Sequence, residues 1–235
     1  PKVLFTTSRY NYNAKEHDFS SRITEIEASL VDLESLIIVD DSNINKSKVK
    51  YSYISFNEFG ADSKLDFIRL PFFHPSYILY TSGTTGAPKA IVHSIGGTVL
   101  QHFKEHKLHN DLRAGDKIMW YTNIAWMMYH WVVSSLGCNS TLVLYDGVPI
   151  VKKGNNVDGS LLWKVAEKEK LSHMGISPKY ISTLEEIEEK PILKYKLDNL
   201  RWLLAAGSPV APGQFDWIYK NIKKNIGFAS ISGGS

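Results

Sequence analysis

The chain has 235 residues, 43% of them hydrophobic, and its 27 basic and 24 acidic residues leave a formal charge of +3. This length and apolar content suffice for a sizeable core, and the small charge excludes a disordered tail and argues against a nucleic-acid partner. The single cysteine, Cys138, excludes an intramolecular disulfide and a multi-cysteine zinc site, and it fits a reducing compartment such as the cytosol. The most apolar stretch, residues 118–136, contains Asn123 and His130 and falls short of a ~20-residue membrane span, so we expect no membrane partner.

Short apolar runs alternate with helical patterns in the first part of the chain. A helical spacing of apolar residues begins at Arg22, and a second begins near Thr98, while residues 42–66 form a polar, irregular connection. The predicted strands of this part are residues 2–6, 36–39, 77–80 and 90–93.

The same alternation continues to the end of the chain. The predicted strands are residues 118–121, 141–145, 173–176, 200–206 and 227–231. The predicted helices are residues 125–136, 161–168, 178–187 and 214–222. Ser177 is a predicted N-cap, and Pro178 takes the first helical position. This regular order predicts an α/β fold with largely parallel sheets flanked by helices.

A loop of very small residues follows the predicted strand 77–80. From residue 81 to residue 86, every side chain is a hydrogen or a small hydroxyl group. Such a backbone can turn its N–H groups inward as an anion-binding nest, with Gly83 and Gly86 supplying conformational freedom and Lys89 a positive charge. The combination favours a polyphosphate ligand over an ordinary flexible connection. The Walker A pattern is absent, which makes a P-loop NTPase the weaker nucleotide-binding hypothesis.

Residues 80–89 resemble the phosphate-loop signature of the AMP-forming adenylating enzymes, which include acyl-CoA synthetases, luciferases and peptide-synthetase adenylation domains. Segments 13–18, 70–75, 91–97 and 101–106 make the chain similar to one branch of that family, the acetoacetyl-CoA synthetases. The resemblance extends over essentially the whole chain.

The resemblance implies an organisation and a reaction. It implies that residues 1–235 are an incomplete N-terminal AMP-binding domain, with the mobile C-terminal domain, the principal catalytic lysine and an acidic magnesium ligand outside this chain. ATP would activate acetoacetate as acetoacetyl-AMP with release of pyrophosphate, and CoA would then displace AMP to give acetoacetyl-CoA. The implied partners are acetoacetate, ATP, Mg²⁺ and CoA. A ligase for another small acid such as acetate, and a non-catalytic nucleotide-binding fragment, are the alternatives.

The resemblance also implies roles for individual positions. The β- and γ-phosphates would be held by Thr81, Ser82, Gly83, Thr84, Thr85, Gly86 and Lys89, with Lys89 stabilising the leaving pyrophosphate. The other implied contacts are Gly207, Ser208 and Pro209 with adenine, Trp126, Met127 and Met128 with the acyl group, and Ser177 with CoA. Ordinary alternatives stay open: a simple turn at 207–209, a core helix at 126–128, and a helix N-cap at Ser177. We expect His130 to be a core histidine and Cys138 to be buried and unreactive.

Overall fold

A computed structural model describes most of the chain. The described residues are 1–13, 15–40, 52–81, 86–154 and 156–234. The chain forms two compact units, Pro1–Ile68 and Arg69–Ser235. None of the described helices combines the length and the apolar character that a membrane span requires.

The first unit contains a parallel sheet and a hairpin. Its elements are β1 (Val3–Thr6), β2 (Arg9–Tyr12), β3 (Lys15–Asp18), α1 (Ser20–Ser29), β4 (Ser35–Ile38) and β5 (Ile54–Ser55). Strand β4 lies between β1 and β5 and pairs in parallel with both, whereas β2 and β3 pair antiparallel. Ile23 of α1 joins Leu36 and Ile38 of β4 in one small buried cluster. The two strands and the helix predicted for this region are confirmed.

The second unit contains the larger sheet. Its elements are β6 (Pro75–Thr81), β7 (Lys89–Ser94), α2 (Ile95–Lys104), β8 (Lys117–Trp120), α3 (Met127–Ser134), β9 (Thr141–Leu142), β10 (Val151–Lys153), β11 (Asn156–Asp158), α4 (Leu161–Glu169), β12 (His173–Ile176), α5 (Pro178–Glu186), β13 (Trp202–Ala205), α6 (Pro212–Asn221) and β14 (Gly227–Ser230). Five strands form a parallel sheet in the order β14-β13-β12-β8-β9. Two antiparallel hairpins, β6–β7 and β10–β11, accompany it. The predicted α/β class with a largely parallel sheet is confirmed.

Strand β13 shows that the parallel sheet is covered on both faces. Leu203 and Ala205 belong to a buried cluster that includes side chains of α4, α5 and α6, such as Leu162. Leu204 belongs to a second cluster, which includes Trp131 of α3. Because successive strand residues point to opposite faces, the two clusters lie on opposite sides of the sheet. Burial on both faces explains why the strands are continuous apolar runs in the sequence.

A glycine in the central strand allows a tryptophan to lie against the backbone. A Cβ atom at Gly175 of β12 would stand 2.1 Å from Cδ2 of Trp120, in the neighbouring strand β8. Real carbon atoms do not approach that closely, so any larger residue would have to displace the indole ring. Gly175 therefore has a packing role that hydrophobic periodicity does not reveal.

Two predicted boundaries were wrong. The strand expected over residues 141–145 is limited to Thr141–Leu142, and one further backbone bond, from the N–H of Val143 to the carbonyl of Ile118, extends the pairing. The helix expected near Thr98 begins earlier, at Ile95, since the Ser94 hydroxyl accepts a hydrogen bond from the N–H of Gly97 and caps α2.

Candidate functional site

The predicted phosphate loop connects the two strands of the β6–β7 hairpin. Thr81, which is partly buried, is the last residue of β6, and it pairs directly with Lys89, the exposed first residue of β7. The hairpin therefore holds the lysine beside the start of the loop. Gly86 is exposed. Ser82, Gly83, Thr84 and Thr85 lie outside the described residues, so their predicted contacts with phosphate stay a prediction.

The predicted adenine turn lies at the carboxyl edge of the parallel sheet. Gly207, Ser208 and Pro209 are exposed and follow β13 directly. Gly207 has a φ of +107°, in the region that favours glycine. A Cβ atom at that position would lie 3.5 Å from the Trp126 ring. The structure thus brings the tryptophan predicted for the acyl pocket against the turn predicted for adenine. Ligands of parallel α/β folds bind at this edge.

A cleft of ≈480 Å³ opens within the second unit. Met127 and Met128, at the start of α3, line it and directly follow Trp126 in the chain. Its other lining residues are Tyr77, Val92, His93, Ser94, Gly97, Thr98, Gln101, His102, Glu105, Trp131, Ile231, Ser232, Gly233 and Gly234. Trp126 is not part of the lining, so two of the three predicted acyl-pocket residues face the cleft and the third faces the adenine turn.

Three stacked rings form one wall of the site. Tyr77 of β6 and His93 of β7 are cross-strand partners, with ring centroids 4.7 Å apart and planes at 20°. His130 of α3 covers the other face of Tyr77, with centroids 4.2 Å apart and planes at 11°. Burial, followed by the neighbouring His93, lowers the pKa of His130. His130 is half-buried within this stack and is not fully enclosed in the core as predicted.

A second polar group extends from α2 into a π-helical segment, Glu105–His109. The Trp131 indole N–H donates to Glu105 over 2.7 Å, and the Gln101 amide donates to the same carboxylate over 2.6 Å. Nδ1 of His102 and Nε2 of His106 each lie 3.0 Å from the Ser134 hydroxyl. The lining polar groups of this wall are therefore already bonded within the protein.

The sequence offered one signal for these polar residues. His93 lies in segment 91–97, and His102 and Glu105 lie in segment 101–106, both of which carry the family resemblance, but the sequence predicts no role for these side chains or for Tyr77. The helical spacing of His102 and His106 indicates that they share one face of a helix. It does not indicate which loop or strand packs against that face. Apart from Met127 and Met128, the residues that line the cleft were not predicted, because they come from segments far apart in the chain.

Two further predicted positions lie away from the cleft lining. The Ser177 hydroxyl accepts a hydrogen bond from the N–H of Tyr180 over 3.2 Å, which makes it the N-cap of α5, directly after β12. This confirms the predicted cap and leaves the CoA contact untested. Cys138 is 2% exposed, and burial raises the pKa of its thiol, in keeping with the expected buried position.

The acidic, histidine and cysteine side chains do not form a metal site in the described part of the chain, where no group of three such residues has a suitable arrangement.

A family model for "AMP-binding enzyme" matches residues 1–228. The chain belongs to this family. An acetoacetyl-CoA synthetase of Danio rerio is 38% identical to it over 245 residues, and a malonamoyl-CoA synthetase of Penicillium aethiopicum is 35% identical over 254 residues. The solved acetoacetyl-CoA synthetase of Streptomyces lividans superposes with a TM-score of 0.89 at 33% identity.

The share of the sequence that is matched differs between this chain and its relatives. Each match covers 100% of this AMP-binding chain. The chain spans only 36% of the Danio rerio and Streptomyces lividans proteins, and 35% of the Penicillium aethiopicum protein.

Proposed function

We propose that this chain supplies part of the adenylation site of an acid–thiol ligase that converts acetoacetate, ATP and CoA to acetoacetyl-CoA, AMP and pyrophosphate. The observation that carries the proposal is the position of Trp126, whose ring lies 3.5 Å from where a Cβ atom of Gly207 would stand and which directly precedes the two methionines that line the cleft. An acid bound in the cleft would lie beside a nucleotide whose adenine occupies the turn. This adjacency brings a carboxylate and an α-phosphate together.

The chemistry assigns different tasks to the two ends of the nucleotide. A carboxylate oxygen attacks the α-phosphorus, the bond to the β-phosphate oxygen breaks, and pyrophosphate leaves with the electron pair. Charge develops on the leaving group, so donors from the 81–86 loop and the ammonium of Lys89 stabilise it there. The exposed position of Lys89 beside Thr81 supports this role.

The remaining partners belong to the same proposal. ATP and CoA are substrates, and Ser177 is a candidate CoA contact. Mg²⁺ would accompany the phosphates of ATP, and no step is assigned to it. In this proposal the chain is part of the N-terminal AMP-binding domain and acts in the cytosol, the compartment favoured by a single cysteine.

The proposed substrate is a small acid with a carbonyl group at C3. Acetoacetate and malonamate, the acids implied by the printed names of the two relatives, both have a C3 carbonyl and differ only in the methyl or amino group attached to it. Comparison of kcat/KM for acetate, acetoacetate and butyrate tests this specificity. A preference for acetate would favour the alternative of an acetate-type ligase.

The role of the phosphate loop is tested with Lys89→Ala in the protein that carries this chain. We expect acetoacetate-dependent exchange of pyrophosphate into ATP to fall by about 10²–10³-fold, as for loss of one group that stabilises developing charge. Lys220→Ala, in the exposed face of α6, is the matched control and should leave exchange unchanged. Equal exchange in the Lys89→Ala variant and the unmodified protein would refute the assignment.

A non-catalytic nucleotide-binding role is the second candidate, because the pairing of Thr81 with Lys89 supports phosphate binding and does not by itself require a reaction. Calorimetry with ATP and pyrophosphate exchange, both on the protein that carries this chain, separate the two. Binding of ATP without acid-dependent exchange supports this role, and absence of binding rejects it.

A further inference from the structure

We propose that Tyr77 and His93 recognise the C3 carbonyl oxygen of the acid by donating a hydrogen bond each to it. This inference rests on the proposed function, whose substrate it makes more specific. Both residues line the cleft, together with the apolar side chains of Met127, Met128 and Val92 that suit the methylene and methyl groups of acetoacetate.

The first argument is that both donors are buried without a partner. The Tyr77 hydroxyl and Nε2 of His93 are shielded from solvent and have no hydrogen-bond partner among the described residues. Leaving a buried polar group unpaired is unfavourable, so such atoms are expected to meet a ligand or a water molecule. Of the described buried polar atoms that lack a partner, these two alone belong to residues that line the cleft.

The second argument is that the fold fixes the orientation of both groups. The register of β6 and β7 places Tyr77 opposite His93, and their rings stack at 4.7 Å. His130 of α3 holds the phenol ring from its other face. A ring clamped between two others loses little further freedom when a ligand binds, which favours specific recognition. The stack thus presents two donors in a fixed arrangement.

The third argument concerns the other polar groups of the cleft. The carboxylate of Glu105 accepts hydrogen bonds from Trp131 and Gln101, and Nδ1 of His102 lies within bonding distance of Ser134. These groups are already engaged. A ketone oxygen has two lone pairs and no proton, so it can accept two hydrogen bonds, one from the hydroxyl and one from the imidazole N–H.

The consequence is discrimination against acids without the C3 carbonyl. Butyrate has a similar length but would leave both buried donors unpaired. Sites that hydrogen-bond a polar substrate group reject the apolar analogue more strongly than apolar pockets reject a missing methylene. The stack therefore would select 3-oxo acids over simple fatty acids.

Tyr77→Phe and His93→Phe are the test variants, because each keeps an aromatic ring in the stack and removes one donor. In pyrophosphate exchange by the protein that carries this chain, we expect the ratio of kcat/KM for acetoacetate to that for butyrate to fall about tenfold in each variant. Activity with butyrate should be retained. Tyr219→Phe, on the surface of α6, is the matched control and should keep the original ratio.

The outcomes separate this inference from the proposed function. An unchanged ratio in both variants would overturn it and assign the two atoms to bound water. Loss of exchange with both acids in parallel would also overturn it, since that pattern indicates a general structural role. If the unmodified protein exchanges pyrophosphate with neither acid, or prefers butyrate, the proposed function itself is wrong.

Discussion

At the scale of single residues, the buried His106 makes the stability of the fold depend on pH. Its side chain is 0% exposed, and its Nε2 lies 2.9 Å from the Trp131 carbonyl oxygen. Burial lowers the pKa of His106 from 6.5 to about 4, although its bond to the carbonyl acts in the opposite direction. The imidazole is therefore neutral in the folded protein near pH 6, where it would be partly protonated in the unfolded chain.

This difference predicts an acid sensitivity of the fold. Between pH 6.5 and about 4, the unfolded chain binds a proton at His106 that the folded protein does not. Stability from this residue is complete above pH 6.5 and is lost as the pH falls, by about 1.4 kcal/mol per pH unit. We expect His106→Gln to reduce the slope of unfolding free energy against pH in this window, as measured by urea denaturation.

The exposed His109, in the same π-helical segment, supplies the control, and His109→Gln should keep the original slope. The His106→Gln variant should retain part of the slope of unfolding free energy against pH, because burial also lowers the pKa of His102 and His173. A slope identical to that of the unmodified protein would contradict the prediction.

The residues of the cleft show what a sequence can and cannot specify. Met127 and Met128 could be singled out because they occupy consecutive positions in a recognisable segment. Tyr77 and His93 could not be singled out, because their contact depends on the register of the β6–β7 hairpin. The sequence of the connecting loop does not determine that register. Stacking of His130 on Tyr77 also depends on the position of α3, which no local pattern encodes.

At the scale of secondary structure, the start of α5 was readable because its signals are local. Ser177 and Pro178 occupy the N-cap and first helical positions, and the Ser177 hydroxyl satisfies an otherwise free backbone N–H group. The parallel strands were readable for a similar reason, as each is a short apolar run. The short strand β9 was overestimated because the apolar run 142–145 continues beyond the two residues that pair with β8.

The cap predicts a measurable cost. Ser177→Ala should lower the free energy of unfolding by about 1 kcal/mol, and Ser177→Asp, which retains a capping oxygen, should restore most of it. Urea denaturation of the three proteins checks this. Equal stability of the Ala variant and the unmodified chain would contradict the cap. A CoA role predicts a different pattern, in which both variants raise the KM for CoA.

At the scale of the whole molecule, the two compact units differ in the size of their cores. Among the described residues, Pro1–Ile68 contains four buried apolar side chains. These are Ile23, Leu36, Ile37 and Ile38. Arg69–Ser235 contains two large clusters, one on each face of its parallel sheet. Since burial of apolar area is the main stabilising contribution, the second unit is expected to be the more stable of the two.

The tryptophans make this difference observable. All six lie between residues 120 and 217, within the second unit, so their fluorescence reports on that unit alone, whereas far-ultraviolet circular dichroism reports on both. We expect the fluorescence transition in urea to have the higher midpoint, because two units of unequal stability violate two-state unfolding. A chain of residues 69–235 should keep the same fluorescence midpoint. Coincident transitions by both probes, together with a lowered midpoint in the shortened chain, would instead mean that the two units unfold as one.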